Sequence, residues 1–197
     1  MTTWNEVPGA RAIGTAITRA VDAARAGDPD AYDTATADLA ALPASHTGIV
    51  LGALVRTLLE EQHPDGLDGD DIQAVLARCY GGTIGWLPPE RIDIPTLVAV
   101  VAGALGIHQP GVTYEEVTGP PSRARSGDDW AGDPEGGHVV GGGSDEPVPS
   151  RVPTPAQYVR HAPLLLADLL AAGARRLGPY LDGVFAEIAR EESMEFP

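Results

Sequence analysis

Residues 111–153 hold nine of the chain's 24 glycines and six of its 18 prolines, with eight carboxylates and no leucine or isoleucine. Such a stretch cannot bury enough apolar surface to offset the entropy of ordering it. A structureless loop of that length is also rare inside a compact domain. The composition therefore predicts a long disordered linker, acidic and rich in Gly and Pro. It divides the chain into a body over 8–110 and a C-terminal segment over 154–192.

The flanks point to an all-α fold. Aromatics make up only 5% of the chain, so Ala, Leu and Val must fill its core. Alanine is the best helix former, and no run of β-branched residues alternates as a strand would. Five helices are expected in the body, forming an N-terminal bundle. The first spans about 10–26, with Ile13, Ala16, Ile17, Ala20, Val21 and Ala24 on one stripe. Gly27-Asp28-Pro29-Asp30 then combines a left-handed stop, a cap and a first-turn proline, which predicts a tight helical hairpin. The second helix runs to about 42. Ser45 is the expected cap of the third, which ends near Gln62, and Gly48 and Gly52 suggest a smooth patch for a crossing helix. Asp68 and Asp71 resemble a capping box for the fourth, and Gly81 and Gly82 are expected to end it. The fifth, about 95–106, is apolar nearly all round, which places it at the centre of the bundle.

Past the linker, Thr154-Pro155-Ala156-Gln157 reads as a capping box with proline at the first helical position. Pro163 is expected to break or restart the helix, and Gly178-Pro179 to break it again. Leu165, Leu166, Leu169 and Leu170 make one apolar face. Leu181, Val184, Phe185 and Ile188 make another. Helices of this kind on a tether either dock on their own bundle, build a homodimer or present a partner-binding face. The second and third outcomes make Leu166, Leu169, Leu170, Leu181, Val184, Phe185 and Ile188 candidate contact residues.

Charge narrows the function. The chain contains no lysine, and 13 arginines face 28 carboxylates for a net charge of −15. Lysine-dependent chemistry is excluded: no P-loop lysine, no Schiff base, no kinase-type site. An acidic surface disfavours nucleic acid and anionic membranes and leaves basic partners open. Arginine without lysine, with abundant Ala, Gly and Pro, matches coding from a GC-rich bacterial genome. One cysteine, no signal-peptide pattern and no run long enough to span a bilayer suit a cytoplasmic protein.

Candidate chemistry is sparse. Glu60, Glu61, His63, Asp65, Asp68, Asp70 and Asp71 form an acidic turn that could hold a hard cation, although its spacing is not that of an EF-hand; the plainer expectation is capping and turn chemistry. Cys79 could pair with His46 or His63 as a nucleophile, but it lies on an apolar stripe and reads as a small buried hydrophobe. His108, His138 and His161 make no zinc spacing. Trp130, ringed by acids in the linker, is a candidate docking motif. The expectation is a non-enzymatic protein-interaction or regulatory module without a cofactor, with a protein partner that is basic or a second copy. The competing expectation is a small helical enzyme or ligand-binding bundle using the 60–71 turn, with Arg56 or Arg78 as an anion contact.

Overall fold

A computed structural model of the chain describes residues 8–106 and 153–194. Among them every regular element is helical. Seven α-helices follow in order: α1 (Pro8–Ala26), α2 (Pro29–Ala40), α3 (Ala44–Gln62), α4 (Gly69–Thr83), α5 (Ile94–Ala104), α6 (Pro155–Ala172) and α7 (Leu177–Met194), with a 3₁₀ turn at Pro89–Arg91. Nearly all of the expected linker, Trp130 included, lies outside the described residues.

Local chemistry sets the helix ends. Gly27 adopts φ 65°, and its N–H and that of Asp28 return to the carbonyls of Ala24 and Ala23 at 3.2 and 3.1 Å. Only glycine takes that conformation without cost. Asp28 then accepts from the N–H groups of Asp30 and Ala31 at 3.1 and 2.9 Å, starting α2. A cap of this kind is worth about 0.5–2 kcal/mol. The Asp68–Asp71 capping box is formed, with Asp68 accepting from the N–H of Asp70 and of Asp71 at 2.9 Å each. The Thr154–Gln157 box is formed as well. Ser45 does not cap α3. That helix starts at Ala44 behind Pro43, with no side-chain cap. Gly81 and Gly82 do not end α4, which runs through them to Thr83, whose hydroxyl donates to the Cys79 carbonyl at 2.7 Å.

The largest departure concerns the centre. The axis of the bundle is α6, from beyond the linker, and not α5. Helix α6 packs against each of α1 to α5. Residues 161–167 are buried in unbroken succession, as are Leu169 and Leu170. An unbroken buried run spans every side of a helix, and such a helix belongs inside. Helix α5 buries Leu97, Val100 and Val101 but exposes Ile94 and Val98 by 47% and 43%. Its Gly/Ala/Val composition fills less volume per turn than the leucines of α6.

Pro163 neither breaks nor restarts α6. The helix is continuous across it, and the residue is buried. A proline inside a helix removes one N–H and loosens the carbonyls before it. The bond it removes is that of the Val159 carbonyl, and two neighbouring carbonyls make additional side-chain contacts. The Tyr32 hydroxyl, from α2, donates to the Arg160 carbonyl, and His161 Nδ1 lies 2.8 Å from the Gln157 carbonyl. Gly178 and Pro179 sit in the first turn of α7, so the chain turns earlier, at residues 173–176. There the Arg175 side chain folds back so closely that a Cβ on Gly173 would lie 2.7 Å from its Nε.

Helix α7 packs on α3 and α1. The Phe185 ring crosses Gly14 so tightly that a Cβ there would sit 3.2 Å from it. Of the two glycines expected to form a crossing patch on α3, Gly52 faces the Tyr158 hydroxyl of α6 and Gly48 faces open space.

Candidate functional site

The candidate contact residues of the C-terminal segment are core residues. Leu166, Leu169 and Leu170 are fully buried, and Leu181, Val184, Phe185 and Ile188 are buried on α7. Helix α6 is covered by α1 to α5 and the apolar face of α7 by α3 and α1, so as a partner-binding surface these residues are corrected: a side chain already out of water offers a partner nothing further to desolvate.

The acidic turn does not converge. Glu60 accepts from Arg56 Nε at 2.7 Å. Glu61 turns to α7, where it meets Arg175 at 3.2 Å and accepts from the Tyr180 hydroxyl at 2.6 Å. Asp68 and Asp71 are spent on the α4 cap, and Asp71 also faces His63 Nδ1 at 3.5 Å. Asp65 and Asp70 are exposed. Among the described residues no three His, Cys, Asp or Glu side chains meet as a metal site would require. Arg56 and Arg78 are not open anion contacts. Arg56 holds Glu60, and Arg78 grips Asp168 of α6 at 2.8 Å.

Cys79 is buried, and burial pushes its thiol up to about 12. The thiolate needed for nucleophilic attack is therefore scarce at neutral pH. His161 is also buried. Its Nε2 accepts the Asp93 backbone N–H at 2.9 Å, at the cap of α5, which requires Nε2 to be unprotonated. Its Nδ1 then carries the proton toward Gln157. Burial lowers its pKa, in agreement with that neutral form. His161 thus locks the start of α5 to α6. Asp33 adds a second tie by pairing with Arg91 and, at 3.1 Å, with Arg160.

Among the described residues, two concave surface features stand out. The first is the outer face of the α1–α2 hairpin. It holds adjoining hollows of about 420 and 630 Å³ that share Arg19 and Asp38. Their floor is Ala12, Ala16 and Ala23 from α1 with Ala31, Ala35 and Leu42 from α2. Their rim carries Arg11 and Arg19 against Asp22, Asp28, Asp30 and Asp38, and the Arg19–Asp38 pair crosses the middle at 3.8 Å. The second is a cleft of about 380 Å³ where α1, α4 and α6 meet below Trp86. Neither was anticipated. The alanines read as helix formers, and Arg25 and Trp86 carried no motif. The spacing Ala16, Ala23 and Ala31, Ala35 was the available signal for a smooth outer face.

The chain matches no protein-family model, no curated protein and no solved structure. Among the described residues no helix is long and apolar enough to cross a membrane.

Proposed function

We propose that the chain is a non-enzymatic interaction protein of a bacterial cytoplasm, and that it binds a basic helical partner across the outer face of α1–α2. The observation that carries this reading is the paired hollow. Its alanine floor lets a helix backbone approach closely, and its rim bears four aspartates against two arginines. Helix α2 is 12 residues long, about 18 Å, or some three turns of a docked helix. The net charge of −15 steers a basic partner toward the chain. Because the rim is exposed, binding weakens steeply as salt rises.

The test is affinity capture from native lysate with the natural chain and with an Ala31→Arg/Thr34→Arg variant side by side. Both positions are exposed, so the variant keeps its fold. The reading requires a basic protein retained by the first and lost by the second, with binding reproduced from purified components. Equal retention by both sinks it.

A second reading has its own observation. Helix α5 contains no ionisable residue, and Ile94 and Val98, one turn apart, stand exposed. Two copies of an acidic chain can approach where neither carries charge, which favours self-association along α5. Sedimentation equilibrium giving a concentration-independent monomer mass removes that reading.

A further inference from the structure

The cleft below Trp86 shares no lining residue with the α1–α2 face, and it has its own chemistry. We propose that it binds a small monocarboxylate with a compact apolar body, the carboxylate on Arg25 and the body against Trp86, Leu164 and Ala167. Its volume of about 380 Å³ is at the lower end of small-molecule sites.

Charge decides the class of ligand. Asp168 lines the cleft but is already held by Arg78: Nε lies 2.9 and 3.1 Å from its two oxygens, and the terminal nitrogen 2.8 Å from one of them. That pair brings no net charge. Cys79, on the floor, is a neutral thiol. The helix ends beside the cleft are satisfied. The Ala24 carbonyl accepts from Gly27 at 3.2 Å, and the Thr83 carbonyl from Trp86 and Leu87 at 3.1 and 2.9 Å. What remains is Arg25, exposed in the last turn of α1. No ion pair joins it to a carboxylate among the described residues. In a chain of net charge −15 the lining of this cleft thus keeps a net positive charge, from Arg25 beside the neutral Arg78–Asp168 pair. A guanidinium fork matches a carboxylate.

The apolar wall is held in place. Trp86 meets Tyr32 edge-on, with ring centroids 5.4 Å apart, and it rests against Gly27. Leu164 and Ala167 are buried on the central helix. An acid with an aromatic or short alkyl body can stack on the indole while its charge stays at the mouth, where Arg25, Gly82 and Ala171 are exposed.

The experiment titrates the full chain with phenylacetate, 2-phenylethanol and 2-phenylethylamine, which share a skeleton and differ in charge. Backbone and indole N–H shifts are followed by NMR. Phenylacetate is expected to shift Gly82, Thr83 and the Trp86 indole saturably, binding about tenfold more tightly than the alcohol. Arg25→Gln should bring the acid down to the alcohol's affinity. Gly82→Leu fills the mouth without strain, since a Cβ there meets nothing within 4 Å and leucine outranks glycine in a helix. An unchanged or raised Tm certifies its fold, and binding of acid and alcohol should both disappear. The proposal is overturned by any of four results: no saturable shift with phenylacetate, an amine that binds as well as the acid, acid affinity surviving Arg25→Gln, or binding that survives Gly82→Leu.

Discussion

Helices α5 and α6 are both apolar strings, yet the fold treats them in opposite ways. Helix α5 carries no ionisable residue and still leaves Ile94 and Val98 in solvent. Helix α6 carries Arg160, His161 and Asp168 and is the axis of the molecule. The difference is volume and partnering. Helix α6 sets five leucines within residues 164–170, and each fully buried leucine is worth about 1.5–3 kcal/mol. Its polar groups are each met from another helix or turn: Asp168 by Arg78, His161 by Asp93, Arg160 by Asp33. Helix α5 has single Leu and Ile residues among Val, Ala, Gly, Pro and Thr, so one side suffices. Chain order has no bearing on which helix is central.

The strongest way to break this contrast is to truncate the axis. Leu166→Ala should cost about 3 kcal/mol or more in chemical denaturation, because it removes a fully buried side chain and leaves a cavity. A cost under about 1 kcal/mol would mean that α6 is not the centre. Next in size is Tyr32→Phe. The Tyr32 hydroxyl serves the Arg160 carbonyl beside Pro163 and is itself fully buried, with its pKa raised chiefly by burial. Its loss removes one side-chain hydrogen bond between α2 and α6, worth about 0.5–1.5 kcal/mol. A neutral outcome would show that this tie between α2 and α6 adds nothing to stability.

The two helices also show how much could be read in advance. Most of what rests on neighbours in sequence was legible, although Ser45 does not cap α3 and Gly81 and Gly82 do not end α4. Asp28 caps α2, Asp68 pairs with Asp71, and Thr154 pairs with Gln157. What depends on distant partners was not. Pro163 reads as a break because its local effect is unfavourable, and the packing that carries the helix through it comes from elements distant in sequence. The acidic turn reads as one cluster because its members are adjacent, yet Glu61 finds its partners at 175 and 180. The leucines of α6 read as one face, although the all-round rule that points to α5 fits residues 161–170 better. The α1–α2 hollows were hidden because alanine signals helix before it signals a groove.

Acid should separate the two helices at their shared joint. Folded His161 is neutral, with a pKa below the ordinary value of about 6.5. Below that value the unfolded chain takes up a proton that the folded chain refuses. His161 therefore contributes full stability above about pH 6.5 and loses it as pH falls toward its lowered folded pKa. The slope can reach about 1.4 kcal/mol per pH unit. His161→Gln, which keeps an amide donor and acceptor, should flatten this part of the stability curve. Identical curves for the two proteins between pH 6.5 and 5 would remove His161 as the titrating joint.

The smallest effect is the sharpest test of the outer side of α5. Val98 is 43% exposed, so Val98→Ser forfeits little apolar burial and opens no cavity. Surface changes of this kind stay within about 0.5 kcal/mol. The lower strand propensity and hydroxyl of serine count for little in a helix already held from its other side by Leu97, Val100 and Val101. Dilute protein should therefore denature at the same midpoint with either residue. A loss above about 1 kcal/mol at low concentration would mean that this face is covered within one chain. A loss seen only at high concentration would mean that a second copy covers it, because association stabilises by mass action and dilution removes that contribution.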